Sequence, residues 1–265
     1  MISVIIPVHN EQDNIDPLLK EIENASRNCP ISEVIYIDDA STDDTPSILF
    51  RARERFPFLR VIRHSVRVGQ SAAFMTGAKA AGNTILVFLD GDGQNDPADI
   101  TKLLAAYQSA TKNHKKTMVA GQRKKRHDNA LRRVSSRLAN NIRSWLLKDG
   151  TRDTGCSLKL IRREDYLRLP FFNHMHRFLP ALLMRDHVEI VHVDVSHRPR
   201  QAGQSKYGFW NRFWVGILDL LGVKWLTLRG LPHDFSTSEI IESTSEKQYE
   251  SEGKRISYEP RTHVA

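Results

Sequence analysis

The chain has 265 residues, enough for one large α/β domain or two small ones. Hydrophobic residues make up 40% of it, so a packed core is expected and disorder of the whole chain is excluded. The formal net charge of +8 indicates an anionic partner: a phosphorylated small molecule, a nucleic acid or an acidic membrane surface. Only Cys29 and Cys156 are present, which argues against a disulfide framework, and no secretory-signal pattern is visible. We therefore expect a cytoplasmic protein.

Short apolar segments alternate with helix-length amphipathic segments along the first half of the chain. The predicted strands are residues 2–6, 33–37, 60–63, 85–89 and 118–120. The predicted helices are residues 14–26, 45–56, 71–81 and 97–110. This order predicts an α/β fold with a mostly parallel central sheet flanked by helices.

The second half of the chain is less regular. Residues 129–147 are typical of a basic amphipathic helix, residues 153–156 of a turn and residues 188–195 of a strand. The most hydrophobic window, 209–228, predicts a membrane-interface helix spanning 209–232, and the alternative is a helix docked on the protein's own core or on a partner. Residues 233–265 are rich in Ser, Thr, Glu and Lys, which predicts a disordered polar tail.

Polar residues follow three of the predicted strands. The first strand reaches Pro7 and is followed by His9 and Glu11, the second runs into Asp38-Asp39, and the fourth into Asp90-Gly91-Asp92. Because the carboxyl ends of parallel strands meet at one edge of a sheet, these side chains are expected to share a crevice. Two carboxylates beside glycines suit a divalent cation that also holds phosphates, and the alternative is an acidic turn that caps the next helix. The sequence contains no dinucleotide-binding, P-loop or EF-hand pattern.

Several motifs resemble those of a known enzyme family. PVHNE at 7–11, IDDASTD at 37–43, GAKAAG at 77–82 and LDGDGQNDP at 89–97 together resemble the family 2 inverting glycosyltransferases with a GT-A fold. The later motifs resemble the dolichol-phosphate mannosyltransferase and polyprenyl-phosphate glycosyltransferase branch. These later motifs are GQR at 121–123, RxxxSRxxN at 132–140, DTGC at 153–156 and RxxGxSK at 200–206. The resemblance covers residues 1–208, which would form the catalytic domain.

The resemblance implies roles for residues that match the family's motifs. Those implied to bind a nucleotide-sugar are Pro7, His9, Glu11, Ile37, Asp39, Asp90, Gly91, Asp92, Arg123, Arg200 and Lys206. Those implied to hold Mg²⁺ or Mn²⁺ are Asp90, Asp92 and Gln94. Those implied to be catalytic are Asp90, Asp92 and Arg123, and those implied to bind an acceptor phosphate are Arg132, Ser136 and Arg137.

The implied function is metal-dependent transfer of a hexose from GDP-mannose or a UDP-sugar to dolichyl or undecaprenyl phosphate at the cytoplasmic face of a membrane. The acceptor phosphate is already anionic near neutral pH, so the reaction needs no strong general base. The first alternative is a family 2 enzyme that acts on a glycan or another non-prenyl acceptor. The second is a basic nucleic-acid-binding protein. The acidic crevice and the absence of a nucleic-acid-binding motif argue against this alternative. We expect no nucleic acid as a partner, while the donor sugar and a partner membrane protein or homo-oligomer are left open.

Overall fold

The computed structural model describes residues 1–112, 115–123, 143–151, 153–199 and 209–229, and for residues 209–215 it describes the backbone alone. Within these residues the sheet has seven strands: β1 (Ile2–Val8), β2 (Ile31–Asp38), β3 (Leu59–Arg63), β4 (Ile85–Phe88), β5 (Thr117–Arg123), β6 (Lys159–Arg162) and β7 (Glu189–Val195). Their order across the sheet is β3-β2-β1-β4-β6-β5-β7. β6 runs antiparallel to β4 and β5, and every other neighbouring pair is parallel. The predicted α/β fold with a mostly parallel sheet is confirmed.

Helices cover both faces of the sheet. In the described residues they include α1 (Ile15–Ser26), α2 (Thr45–Arg55), α3 (Gln70–Ala80), α4 (Ile100–Thr111), α5 (Arg163–Leu167), α6 (Leu179–Arg185) and α7 (Phe209–Leu228). One apolar cluster joins the sheet to α1, α2 and α4. A second cluster joins the opposite face to α3, α5, α6 and α7. Each face of the sheet therefore has its own core.

The predicted elements agree with the observed ones in the first half and only partly in the second. All five predicted strands fall on β1 to β5, and the predicted strand 188–195 is β7. β6, α5 and α6 were not predicted, because each is only four to seven residues long and shows little periodicity. Residues 143–147 are helical, while the rest of the predicted helix 129–147 lies outside the described residues. The predicted tail 233–265 also lies outside them.

Strand β1 contributes to the cores on both faces of the sheet, and α3 packs closely against it. All seven residues of β1 are buried, and Val4 and Ile5 belong to the cores on opposite faces. Gly77 of α3 lies directly over this strand, and a Cβ atom at that position would overlap the Ile5 side chain. Glycine therefore lets α3 approach β1 more closely than any other residue would.

Helix α7 is observed over the predicted residues 209–228, and one of its sides docks on the core. Val223 is buried in the core beside α6, and Leu220 and Leu226 pack against it. The opposite side leaves a stripe of large apolar side chains exposed: Leu218, Leu221, Trp225 and Leu228. None of the described helices is both long and apolar enough to cross a bilayer. Docking on the protein's own core, the alternative reading of this segment, is thus observed for one side, and the membrane-interface reading stays a prediction for the other.

A buried carboxylate joins the first three strands at the amino edge of the sheet. Glu33 of β2 accepts hydrogen bonds from the Ser3 hydroxyl, from the Gly82 N–H at 2.9 Å and from the Arg60 guanidinium. Burial alone would raise the pKa of Glu33, but these hydrogen bonds outweigh burial, and the pKa lies below its ordinary value. The ionised carboxylate is therefore a stabilising link between β1, β2 and β3.

We expect Glu33→Gln to lower the free energy of unfolding by about 1–3 kcal/mol near neutral pH, since hydrogen bonds to a charged acceptor are weakened. Because folding lowers the pKa of Glu33, its stabilisation is present above the unfolded-state pKa of about 4.3 and is lost as pH falls through the folded-state pKa. Urea unfolding at a series of pH values should show wild type and variant converging on acidification. Glu54→Gln, on the exposed side of α2, is the control and should have little effect on the free energy of unfolding. A loss of unfolding free energy in Glu33→Gln that does not change with pH would contradict this explanation.

Candidate active site

The exits of β1, β2 and β4 lie side by side, as the sequence analysis predicted. The Asp39 N–H, just beyond β2, donates a hydrogen bond of 2.8 Å to the Val8 carbonyl at the end of β1. On the other side of β1, the Leu89 N–H donates to the Ile5 carbonyl at 3.1 Å. The acidic residues that follow β2 and β4 are therefore carried to the same edge of the sheet.

Asp39 anchors the loop that leads into α3. Its Oδ1 accepts hydrogen bonds from the Val68 N–H at 2.9 Å and lies 3.0 Å from His64 Nδ1, and its Oδ2 accepts from the Gly69 N–H at 2.8 Å. Burial alone would raise the pKa of Asp39, but these hydrogen bonds outweigh burial and hold the pKa below its ordinary value. A carboxylate offers about four acceptor positions, so this one can take a further hydrogen bond from a ligand.

Four other residues predicted to bind a nucleotide lie around the same exit. Pro7 and Ile37 are buried in the sheet, and the Ile37 side chain belongs to the apolar core, so contact with a ligand is left to its backbone. His9 and Glu11 are half-buried. The Nδ1 atom of His9 lies 2.9 Å from the Asp39 carbonyl oxygen, which ties the β1 exit to the β2 exit.

Asp90 and Asp92 form the acidic centre of the crevice. The Oδ1 atom of Asp90 accepts a hydrogen bond of 2.6 Å from Gln70 Nε2, in the first turn of α3. The Oδ1 atom of Asp92 accepts one of 3.1 Å from the Gln94 N–H. Burial, and then the negative charge of Asp92, raise the pKa of Asp90 to about 6. Two carboxylates that repel each other in this way mark a position where a cation would lower the electrostatic energy.

Gly91 allows this acidic loop to lie against the end of β1. A Cβ atom at position 91 would overlap the Val8 side chain and would lie 3.2 Å from the Pro7 carbonyl oxygen. The close approach brings the loop next to the residues predicted to bind a nucleotide. The glycine is thus required by packing rather than by a special backbone angle.

Arg123, at the end of β5, forms a bidentate ion pair with Asp153. Its Nε lies 2.5 Å from Asp153 Oδ2 and its Nη2 lies 2.7 Å from Oδ1. The two side chains are only 12% and 9% exposed. The Arg123 guanidinium is therefore held in one orientation near Asp90, whose pKa its charge lowers. A contact of Arg123 with a phosphate stays a prediction.

The segment after Asp153 supports the acidic loop through residues that sequence reasoning missed. The Ser157 hydroxyl accepts hydrogen bonds from the Asp90 N–H at 3.1 Å and from Asn95 Nδ2 at 2.9 Å, which connects the two ends of the loop. Lys159 is buried on β6, and its ammonium group donates to the Cys156 carbonyl. A lysine within a short apolar segment was the one available sign of a buried charge, and it could not show what that charge faces.

Burial and neighbouring charges have opposite effects on the pKa of Lys159. Burial lowers the pKa of its ammonium group, while the negative charges of Asp90 and Asp153 act in the opposite direction. In return, the positive charges of Lys159 and Arg123 lower the pKa of Asp90. The carboxylates Asp90 and Asp153 and the cations Arg123 and Lys159 are thus close enough to change one another's pKa.

Some predicted site residues cannot be placed. The residues that lie outside the described part of the chain are Arg132, Ser136, Arg137, Arg200 and Lys206. Among the described residues, no three His, Cys, Asp or Glu side chains stand close enough together to form a metal site by themselves. The predicted metal ligands Asp90, Asp92 and Gln94 comprise two carboxylates and one amide, and their role stays a prediction.

The fold and its acidic crevice define a GT-A enzyme fold, which solved structures share. The chain aligns with a crystal structure of glucosyl-3-phosphoglycerate synthase from Mycobacterium tuberculosis in complex with Mn²⁺, UDP and glucosyl-3-phosphoglycerate. The TM-score is 0.62 at 20% identity, over 88% of this chain and 81% of that chain. A second crystal structure of the synthase, in complex with Mg²⁺ and UDP, also gives a TM-score of 0.62 at 20% identity, over 88% of this chain and 80% of that one. At 20% identity these similarities show the fold alone. The TM-scores confirm the fold that the sequence predicts.

The chain belongs to glycosyl transferase family 2, whose family model matches residues 3–169. It is 34% identical over 230 residues to dodecaprenyl-phosphate galacturonate synthase of Rhizobium johnstonii, covering 84% of this chain and 66% of that protein. It is 32% identical over 209 residues to undecaprenyl-phosphate 4-deoxy-4-formamido-L-arabinose transferase of Pseudomonas savastanoi, covering 78% of this chain and 60% of that protein. The chain therefore spans 60% to 66% of the length of these two relatives. The predicted family and the resemblance to its polyprenyl-phosphate branch are confirmed.

We expect Asp153→Asn to lower the free energy of unfolding by about 3–5 kcal/mol, because it leaves the buried Arg123 charge without its carboxylate partner. Asp16→Asn is the matched control, since Asp16 pairs with Arg55 on the surface, where both side chains are more than 40% exposed. An exposed pair contributes about 0–1 kcal/mol. Chemical unfolding of both variants measures the difference, and equal losses would show that the Arg123–Asp153 pair is not a buried, structure-determining contact.

Proposed function

We propose that this protein is a metal-dependent inverting glycosyltransferase that moves a hexose from a nucleotide-sugar to a polyprenyl phosphate. The observation that carries the proposal is the pair Asp90 and Asp92, held at the carboxyl edge of the sheet beside Asp39. The names of the relatives support the acceptor in this proposal, since both contain a polyprenyl phosphate.

The crevice residues fit a divalent cation. Asp90 and Asp92 supply carboxylate oxygens and Gln94 an amide oxygen, which are ligand types that Mg²⁺ and Mn²⁺ prefer. Burial and the charge of Asp92 raise the pKa of Asp90 to about 6, so a positive charge between them would hold both carboxylates ionised. When bound, such a cation would neutralise the diphosphate of the donor as it leaves the sugar.

The chain's own residues would bind and orient the reactants. Asp39 holds the loop at Val68 and Gly69, which would lie near the nucleoside. Asp153 holds the Arg123 guanidinium, which would lie near the diphosphate. An oxygen of the acceptor phosphate would attack the anomeric carbon on the face opposite the diphosphate. The bond from that carbon to the diphosphate would break, releasing a nucleoside diphosphate and inverting the anomeric configuration. Since the attacking oxygen is already anionic, positioning and charge stabilisation would supply most of the rate.

The exposed side of α7 supports an acceptor held at a membrane. Leu218, Leu221, Trp225 and Leu228 form one apolar stripe on the side of the helix opposite its docked residue Val223. A helix whose apolar side lies on a lipid surface buries that side among the headgroups and upper acyl chains. We therefore propose a peripheral membrane association through α7, beside which the lipid acceptor would reach the crevice.

We expect purified protein with Mn²⁺ or Mg²⁺, a short polyprenyl phosphate and a panel of GDP- and UDP-sugars to form a glycosylated lipid with one donor, detected by mass spectrometry. Asp92→Asn should lower turnover by about 100-fold or more, because a charged ligand of the cation is lost. Asp186→Asn, at the end of α6, is the control and should keep wild-type turnover.

Three results would contradict this proposal. Turnover with a glycan or a delipidated acceptor, and none with polyprenyl phosphate, would assign the chain to the alternative class of family 2 enzyme. Equal turnover of wild type and Asp92→Asn would remove the metal role of the carboxylate pair. Binding of nucleic acid without any nucleotide-sugar binding would replace the enzyme by the basic binding protein.

We expect the double variant Leu221→Gln, Trp225→Gln to bind vesicles of phosphatidylcholine and phosphatidylglycerol at least about tenfold more weakly than wild type, since each large apolar side chain contributes about 1.5–3 kcal/mol when fully buried. The two side chains are 56% and 59% exposed, so the substitutions should leave thermal stability nearly unchanged. Vesicle flotation measures the binding. Phe50→Gln, at an aromatic position on α2 that is 66% exposed, is the control. An equal loss in both variants would argue against a role of the α7 stripe.

A further inference from the structure

The chain beyond β7 is fastened to the loop that follows Asp92. A β-bridge joins Asn95 to His197, and the Arg198 N–H donates to the Gln94 carbonyl at 2.9 Å. Ser196 is the first residue after β7, and its N–H donates a hydrogen bond of 2.6 Å to Asp99 Oδ2. Asp99 is buried and lies just before α4. The loop with the proposed metal ligand Gln94 is therefore held by two segments: the residues after β7 and Ser157.

The Arg198 side chain adds a second connection from the same point. Its Nη1 lies 2.7 Å from Glu21 Oε1 on α1, and its Nη2 lies 2.6 Å from Asp96 Oδ2. The other carboxylate oxygen of Asp96 accepts a hydrogen bond of 3.0 Å from the Ala98 N–H. One planar guanidinium thus joins the acidic loop, α1 and the exit of β7.

This arrangement is suited to setting geometry rather than to adding stability. The Arg198 side chain is 31% exposed, and the carboxylates of Glu21 and Asp96 are 36% and 26% exposed, so screening by water limits the energy of each pair. The fixed fork of arginine can hold two carboxylates at once, whereas the single ammonium of lysine cannot reproduce that geometry. The positive charge of Arg198 is therefore used within the protein.

We propose that Arg198 is a positioning residue of the donor site: by bridging Glu21 and Asp96 it holds the loop from Asp92 to Asp96 in the conformation that binds the metal and the diphosphate. The inference rests on the proposed function. Arg198 would act by holding the loop, and not by contacting the substrate.

Arg198→Ala and Arg198→Lys test this inference. We expect faster amide hydrogen exchange in the peptide covering residues 92–99 of both variants, a rise in the Mn²⁺ concentration needed for half-maximal binding of a nucleoside diphosphate, and turnover lowered by about 10- to 100-fold in the alanine variant. Arg198→Lys should retain part of the activity. Asp96→Asn keeps the acceptor for the Ala98 N–H and should reproduce the lysine phenotype.

Arg55→Ala is the matched control, because Arg55 also pairs with a carboxylate of α1, Asp16, on the surface. It should change neither the exchange of residues 92–99 nor the Mn²⁺ requirement. Unchanged exchange and Mn²⁺ requirement in Arg198→Ala, or losses that follow only a drop in melting temperature, would overturn the inference. If wild type binds nucleoside diphosphate with Mn²⁺ but transfers no sugar to polyprenyl phosphate, the proposed function fails while the positioning role is still measured. Absence of any metal-dependent binding by wild type would overturn both.

Discussion

The packing of β1 between β2 and β4 is the constraint on which the site depends. Every residue of β1 is buried, and both of its neighbours run parallel to it, so the exits of the three strands meet at one edge of the sheet. Gly77 lets α3 lie close to one face of this strand, and Gly91 lets the acidic loop lie against its end. The same packing brings Asp39, Asp90 and Asp92 to one edge of the sheet, so the geometry that the proposed function requires is a consequence of how the core is filled.

Gathering carboxylates at one edge raises the electrostatic energy, and the surrounding structure offsets it with buried cations. Arg123 is fixed by Asp153, and Lys159 approaches from β6, the antiparallel strand. Their charges lower the pKa of Asp90, but burial and Asp92 prevail and raise it. The local charge balance is therefore incomplete among these side chains, which is the physical condition for recruiting a cation together with an anionic ligand.

Helix α7 joins the core of the domain to an exposed apolar surface. Val223 and its neighbours pack beside α6, and Asp219 lies 3.3 Å from His174 Nδ1, so one side of the helix is fixed by the protein itself. Leu221 and Trp225 face away from those contacts. A segment that is apolar on most of its circumference can satisfy both surroundings, which is why its composition alone did not distinguish docking from membrane contact.

The sequence alone determined the layers of the fold, because a continuous apolar run such as 85–89 is stable only when both faces of the strand are covered. It also located the acidic loop, since Asp90-Gly91-Asp92 follows that run directly. Only the tertiary structure decided what supports the loop. Asp153 lies 30 residues from Arg123, and Ser157 lies 67 residues from Asp90. Local patterns record which side of an element is buried, whereas contacts between distant segments arise from packing and pairing across the whole core, which no periodicity encodes.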